Sequence, residues 1–136
     1  MPNEYKVQVV TPGQTYEGAQ GITYGAGASL ETVGAANICM NVMPIPPGGR
    51  AKVHYHEGIE TVALLLEGSV NVYYGDQLEH VAPMEAGDHI YIPGDVAHAP
   101  YNQSEAPCKI IVAHSSGSDQ DGIVMLPDLD PVLATK

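Results

Sequence analysis

The sequence predicts an all-β domain, a sandwich or barrel built from short strands. Three observations predict it. The 15 Gly and 11 Pro make up 26 of 136 residues, below the ~25–30 % that marks disorder but dense enough to punctuate the chain often. Turn signals recur at the roughly 8–12-residue spacing of sandwiches and barrels. No helical period persists over ten residues. The length suits one domain, residues 1–136, and such a chain buries roughly two-thirds of its unfolded surface.

Each strand is bounded by residues that end it. Lys6–Val10 and Ile22–Tyr24 are short candidates in a Gly-rich opening stretch. Gly25-Ala-Gly27 begins like a dinucleotide fingerprint, but Leu30 stands where its third Gly belongs and no helix pattern follows. Ala36–Ile45 is ended by Pro46-Pro47-Gly48-Gly49, because Pro cannot donate to a ladder and Gly permits a tight turn. Lys52–His56 alternates. Glu60–Leu66 stops at Glu67-Gly68, and Ser69–Tyr74 closes on Gly75-Asp76. Leu78–Val81 runs toward Pro83. His89–Ile92 lies between Gly87-Asp88 and Pro93-Gly94-Asp95. His98–Asn102 and Lys109–His114 are the last clear strands. Leu126–Pro131 could hold a turn or a short helical end.

Charge and composition narrow the partners. Sixteen acids oppose five Lys and Arg, for a net charge of −11. Five scattered cations cannot build a basic patch, so neither nucleic acid nor an anionic membrane surface is an expected partner. The longest apolar run, Val62–Leu66, is far from the ~20 residues of a membrane span. Met1–Lys6 lacks the form of a secretory signal, so a cytoplasmic location is expected. Cys39 and Cys108 read as a free, buried pair.

The chemistry collects around histidines. His54 and His56 are two apart, so on a strand both imidazoles project from one face. Glu60 follows four residues later and can add an oxygen after a short bend. His98 begins the strand after Pro93-Gly94-Asp95 and could return a third imidazole to the first two. Nitrogen and oxygen donors without Cys suit a divalent transition metal: Fe, Mn, Ni or Zn. The other reading is a polar rim of surface histidines.

These residues resemble the cupin family. Its first motif is matched by Gly48, His54-Tyr-His56, Glu60 and Gly68. Its second is matched by Gly87, Pro93-Gly-Asp95, His98 and Asn102. The matched region, residues 48–102, is about 40 % of the chain. The string from His54 to Thr61 also resembles small bacterial single-domain cupins, which does not supply a reaction. The resemblance implies a double-stranded β-helix, a jelly-roll barrel with a metal in its mouth, and often a homodimer. The metal ligands it implies are His54, His56, Glu60 and His98.

Two departures from the pattern bear on the site. Asp95 stands where Gly is usual, a substitution that Asp tolerates because it enters the left-handed region more readily than most residues. Seven residues rather than six separate Glu60 from Gly68. Counted back from Gly68, Thr61 occupies the ligand position, and a one-residue shift turns a strand side chain to the other face. Either a bulge brings Glu60 inward as the fourth ligand, or the site is three-histidine with Glu60 nearby. In the second case Glu60 could act as a general base.

Arg50 and Lys52 alternate in register with the two histidines. They are candidates for holding an anionic substrate, against the alternative of a rim pair neutralising nearby acids. Tyr91 is a third substrate-binding candidate, although packing is the default for tyrosine in a chain without Phe or Trp. His89 and His114 read as satisfied core or interface histidines, and His80 as solvated. No nucleophile elbow, phosphate loop or CxxC motif occurs. The expected function is a metal-dependent enzyme, dioxygenase-like, on a small polar organic substrate. Lyase or isomerase chemistry, or non-catalytic binding of a sugar or acid, is the alternative.

Overall fold

The computed structural model describes residues 6–136. Eleven strands run β1 (Thr15–Glu17), β2 (Thr23–Ala28), β3 (Cys39–Ile45), β4 (His54–His56), β5 (Thr61–Glu67), β6 (Ser69–Tyr74), β7 (His80–Glu85), β8 (His89–Ile92), β9 (His98–Tyr101), β10 (Cys108–His114) and β11 (Ile123–Met125). Two one-turn helices, α1 (Leu30–Val33) and α2 (Asp130–Ala134), complete the set, the second preceded by a 3-10 turn at Pro127–Leu129. No helix among the described residues is long and apolar enough to cross a membrane.

The strands form two antiparallel sheets. One has the order β1-β2-β3-β10-β5-β8 and the other β11-β4-β9-β6-β7. Both β3 and β10 alternate strictly: Cys39, Asn41, Met43 and Ile45 are buried, as are Cys108, Ile110, Val112 and His114, while the residues between them are not. This period of two turns one face of each strand to the core. The core proper packs Ile45, Leu65, Val70, Ile110 and Met84. Cys39 and Cys108 are buried and free.

Several strand boundaries differ from expectation. Lys6–Val10 forms no strand; Val7 and Val9 are 97 % and 85 % exposed, with no sheet to join. β1, β11 and α1 had no clear sequence signal, because three- and four-residue elements take their shape from neighbours. β7 continues through Pro83 rather than stopping before it. It is the edge strand of its sheet, where a missing N–H costs no ladder bond.

The turn chemistry holds up residue by residue. Asp95 sits at φ 68°. Its carboxylate Oδ1 accepts the Gly58 N–H at 3.0 Å, and its own N–H donates to the His56 carbonyl at 3.0 Å. The non-glycine therefore clamps the β4–β5 turn onto the β8–β9 turn, next to the histidines. Asn102 is fully buried. Its Nδ2 donates to the carbonyls of Ile45 (3.0 Å) and Ala106 (2.8 Å), and its Oδ1 accepts from Ser104 N–H and Oγ–H. Asn102→Ala would orphan all of these at once. It is expected to cost about 2–4 kcal/mol, seen as a lower denaturant midpoint at unchanged m-value.

Candidate metal centre

Strand pairing assembles three imidazoles. His54 and His56 point inward from β4, with Tyr55 between them turned away from the core. His98 is the direct cross-strand partner of His54. The ring centroids of His54 lie 5.1 Å from His56 and 4.6 Å from His98, and His56 lies 6.1 Å from His98. One nitrogen from each falls within 4.8 Å of the others, and all three residues are buried.

The backbone carbonyls behind the rings decide which nitrogen that is. His54 Nδ1 lies 2.7 Å from the Lys52 carbonyl, and His98 Nδ1 lies 2.8 Å from the Val96 carbonyl. His56 Nδ1 lies 3.3 Å from the Asp121 carbonyl. A carbonyl can only accept, so each Nδ1 must carry a hydrogen and each Nε2 must carry a lone pair. Backbone anchoring of the far ring nitrogen is the usual support of a metal-bound histidine. The donor set therefore fits a divalent transition metal: three neutral imidazoles, oriented and deprotonated at the convergent atom.

Electrostatics act in the same direction. Burial is the main cause that brings His98 down to about 4, and it also holds His56 below its ordinary value. His54 is pushed well below the ordinary histidine range, by burial first and by His98 next. At neutral pH all three rings are uncharged, the form that binds a metal.

Glu60 is not part of this cluster. The structure settles the register from Gly68: Thr61, Ala63 and Leu65 are buried, and Val62 alternates outward with them. No bulge intervenes at Glu60, so its side chain falls on the outer face, exposed. Its carboxylate accepts the Tyr91 hydroxyl at 2.5 Å, and its N–H donates to Ser115 Oγ at 2.9 Å. With this one-residue phase the structure does not bring Glu60 to the imidazoles, either as ligand or as general base.

The three substrate-binding candidates are not among the residues that line the cavity between the sheets. Arg50 and Lys52 are exposed, because the chain before His54 is irregular and β4 begins only at His54. The Arg50 guanidinium sits 5.4 Å from the centroid of the Tyr101 ring. Neither cation makes the acid pairs of the alternative reading; among the described residues the ion pair is Lys109–Glu67, at 3.8 Å. Tyr91 is 55 % exposed on the outer face, beside Glu60. His80 and His89 are exposed.

His114, expected as a satisfied core or interface histidine, is buried and hydrogen-bonded, and it also lines the cavity. It is 6 % exposed, the direct cross-strand partner of Thr61, and its ring lies 4.6 Å from that of His56. Its Nδ1 meets Thr61 Oγ1 at 2.8 Å. Burial, then His56 and His98, bring it down to about 3. The facing sheets thus contribute different parts: β4 and β9 supply the three convergent imidazoles, while β5 and β10 supply Thr61 and His114 opposite them. Strand alternation hinted that His114 faced inward, but nothing local tied it to residues about fifty positions away.

Between the sheets lies a cavity of about 50 Å³. The histidines, Thr61 and Gln20 are set in a wall of apolar side chains such as Met43, Val72 and Ile110, and among the described residues no Asp, Glu, Lys or Arg lines it. One water needs about 10–15 Å³ on this measure, so the space holds a metal and a few small ligand atoms.

A family model described as the cupin domain matches residues 41–114. The chain belongs to the cupin family. Among curated proteins, this cupin is 26 % identical over 122 residues to Germin-like protein 3-1 of Oryza sativa subsp. japonica, covering 88 % of the chain and 54 % of that protein. The chain thus spans about half the length of that relative. Among solved structures it is similar to the Lactobacillus farciminis oxalate decarboxylase formate complex, at TM-score 0.70 and 19 % identity, covering 90 % of this chain and 35 % of that one. It is also similar to a sugar phosphate isomerase from Silicibacter pomeroyi, at TM-score 0.58 and 23 % identity, covering 76 % and 75 %. At these identities the two likenesses show the double-stranded β-helix and no more.

Proposed function

We propose that this cupin is a metal-dependent enzyme in which His54, His56 and His98 hold one divalent transition metal, Fe, Mn, Ni or Zn. The observation that carries this is the set of three buried imidazoles, each with Nδ1–H on a backbone carbonyl and Nε2 free to converge. The metal, when bound, supplies Lewis acidity to substrate oxygens and, in oxygen chemistry, a site for O₂.

The chain's own residues set what can enter. A cavity of about 50 Å³ excludes drug-sized ligands, whose pockets run to roughly 300–1,000 Å³. Three neutral donors leave a dication uncompensated among apolar walls, so an anionic oxygen is the favoured companion. The substrate class that fits is a small oxygenated acid, or the acid end of one, and dioxygenation is the first reaction to test. The oxalate decarboxylase and sugar phosphate isomerase neighbours make lyase and isomerase chemistry the alternative. Both need a proton-moving group, and with Glu60 outside, the cavity offers no carboxylate for it.

Elemental analysis of the purified chain is expected to find about one transition metal ion per chain after reloading. Less than roughly a tenth of an equivalent would remove the metal reading. Oxygen-electrode assays of the iron-loaded protein with oxalate, other small hydroxy and dicarboxylic acids and diketones then divide the reactions: absence of uptake points to the lyase, isomerase or binding roles. Glu60→Gln is expected to leave the metal content unchanged, because its carboxylate serves Tyr91. Metal loss in that variant would return Glu60 to the ligand set.

A homodimer is part of the same reading. The outer face of the first sheet carries Met40, Val62 and Tyr91, each about half exposed, in one cross-strand row through Ala113. Such a patch supports self-association. Light scattering giving twice the chain mass, reduced to one by Val62→Glu, would agree with it.

A further inference from the structure

His114 differs from the other three buried histidines in what its Nδ1 faces. Theirs face backbone carbonyls, which only accept. His114 Nδ1 faces the Thr61 hydroxyl at 2.8 Å, which can donate. Thr61 is buried, and its hydroxyl has no other partner among the described residues. If Nδ1 carried the proton, the Thr61 hydrogen would be left without an acceptor in a largely apolar cavity. Thr61 donating to Nδ1 satisfies that hydroxyl and leaves the His114 proton on Nε2, which has no partner among the described residues and is free for a ligand in the cavity. A protonated Nε2 cannot ligate a metal, and His114 lies outside the group of nitrogens gathered within 4.8 Å.

The geometry points to His114 as the hydrogen-bond donor that positions an anionic oxygen of a metal-bound ligand, with Thr61 setting its tautomer. This rests on the metal reading above. It deepens that reading by naming the contact that makes the site prefer a small carboxylate to a neutral ligand. His114 and Thr61 stand on β10 and β5, across the cavity from the ligand strands, and line the same cavity.

Two measurements test it. Two-bond ¹H–¹⁵N correlation spectra of the metal-free protein at neutral pH are expected to show His54, His56 and His98 protonated at Nδ1 and His114 at Nε2. His114 protonated at Nδ1 would overturn the assignment without reference to any metal. In Co(II)-loaded protein, formate binding is followed through the visible bands. His114→Leu is expected to keep about one Co(II) and weaken formate by roughly 10- to 100-fold. His114→Gln, which keeps an N–H donor, should come back to within about threefold. Unchanged formate affinity in His114→Leu, or loss of Co(II) from it, overturns the positioning role while leaving the three-histidine centre standing. A wild-type chain that takes up no Co(II) overturns both.

Discussion

Alanine at position 98 will empty the metal centre. Purified His98→Ala, reloaded beside the wild type, is expected to hold less than a tenth of an equivalent of metal. The reason is geometric. His54 and His56 share a strand and can offer only two Nε2 atoms; the third comes from the adjacent strand of the same sheet through the His54–His98 pair. No carboxylate lines the cavity to replace it. Loss of an outer hydrogen-bonding partner commonly costs a metal site roughly 10- to 100-fold in affinity, so loss of one of three ligands should cost more. The fold should survive, because Ala99 and Val53 still pack in their own cluster and β9 still pairs with β6. A His98→Ala protein that retains a full equivalent, with His54→Ala also retaining it, would show that these imidazoles are a buried polar cluster and not a ligand set.

The second large effect is in acid. His98 is held at about 4 in the folded chain, against an ordinary value of 6.5. Between those values the unfolded chain binds the proton and the folded chain does not. Stability therefore rises with pH through that window and is lost as pH falls from about 6.5 toward 4. For His98 alone the loss amounts to about 3 kcal/mol. His114, held at about 3, extends the window downward. The buried rings are close enough to titrate as a coupled set, so their effects do not simply sum. Acidification also discharges a chain of pI about 4.6, which relieves self-repulsion and opposes the loss. The histidine contribution is therefore read as a difference. Melting of the metal-free wild type is expected to fall below pH 6.5 more steeply than that of His98→Ala. Parallel Tm-against-pH curves for the two proteins would defeat the prediction.

Much of the site was legible because its parts are local. His54 and His56 needed only the two-residue period of a strand to share a face. Gly48, Gly68, Gly87 and the Pro93-Gly94-Asp95 turn marked where strands end, and Asp95 adopts the left-handed conformation expected of a tolerant non-glycine. Asn102 stood out as a motif position, although its role as a four-bond tie was visible only in three dimensions. β6, β8 and most of β5, β9 and β10 were bounded correctly by turn residues alone.

Other placements depended on strand phase and pairing. Glu60 and Thr61 are adjacent, and the count back from Gly68 left two phases open. The β10 ladder closed the question, since His114 pairs with Thr61 and both face inward. Arg50 and Lys52 share the register of the two histidines only on a regular strand, and β4 begins at His54. Asp121 reached the site through its carbonyl, a group every residue has and no sequence pattern reports.

By itself, then, the sequence determined an all-β cupin with two inward histidines, a third on a later strand, and a net charge of −11. Those properties follow from strand period, turn chemistry and net charge, which are set over a few residues or summed over all of them. Tertiary structure alone decided which side chains line the cavity: Thr61 and His114 inside, Glu60 outside, and a small uncharged wall around three buried imidazoles. Such choices depend on which strands pair and in what phase. A one-residue slip there costs nothing in local propensity, yet it exchanges a carboxylate for a hydroxyl at the cavity wall.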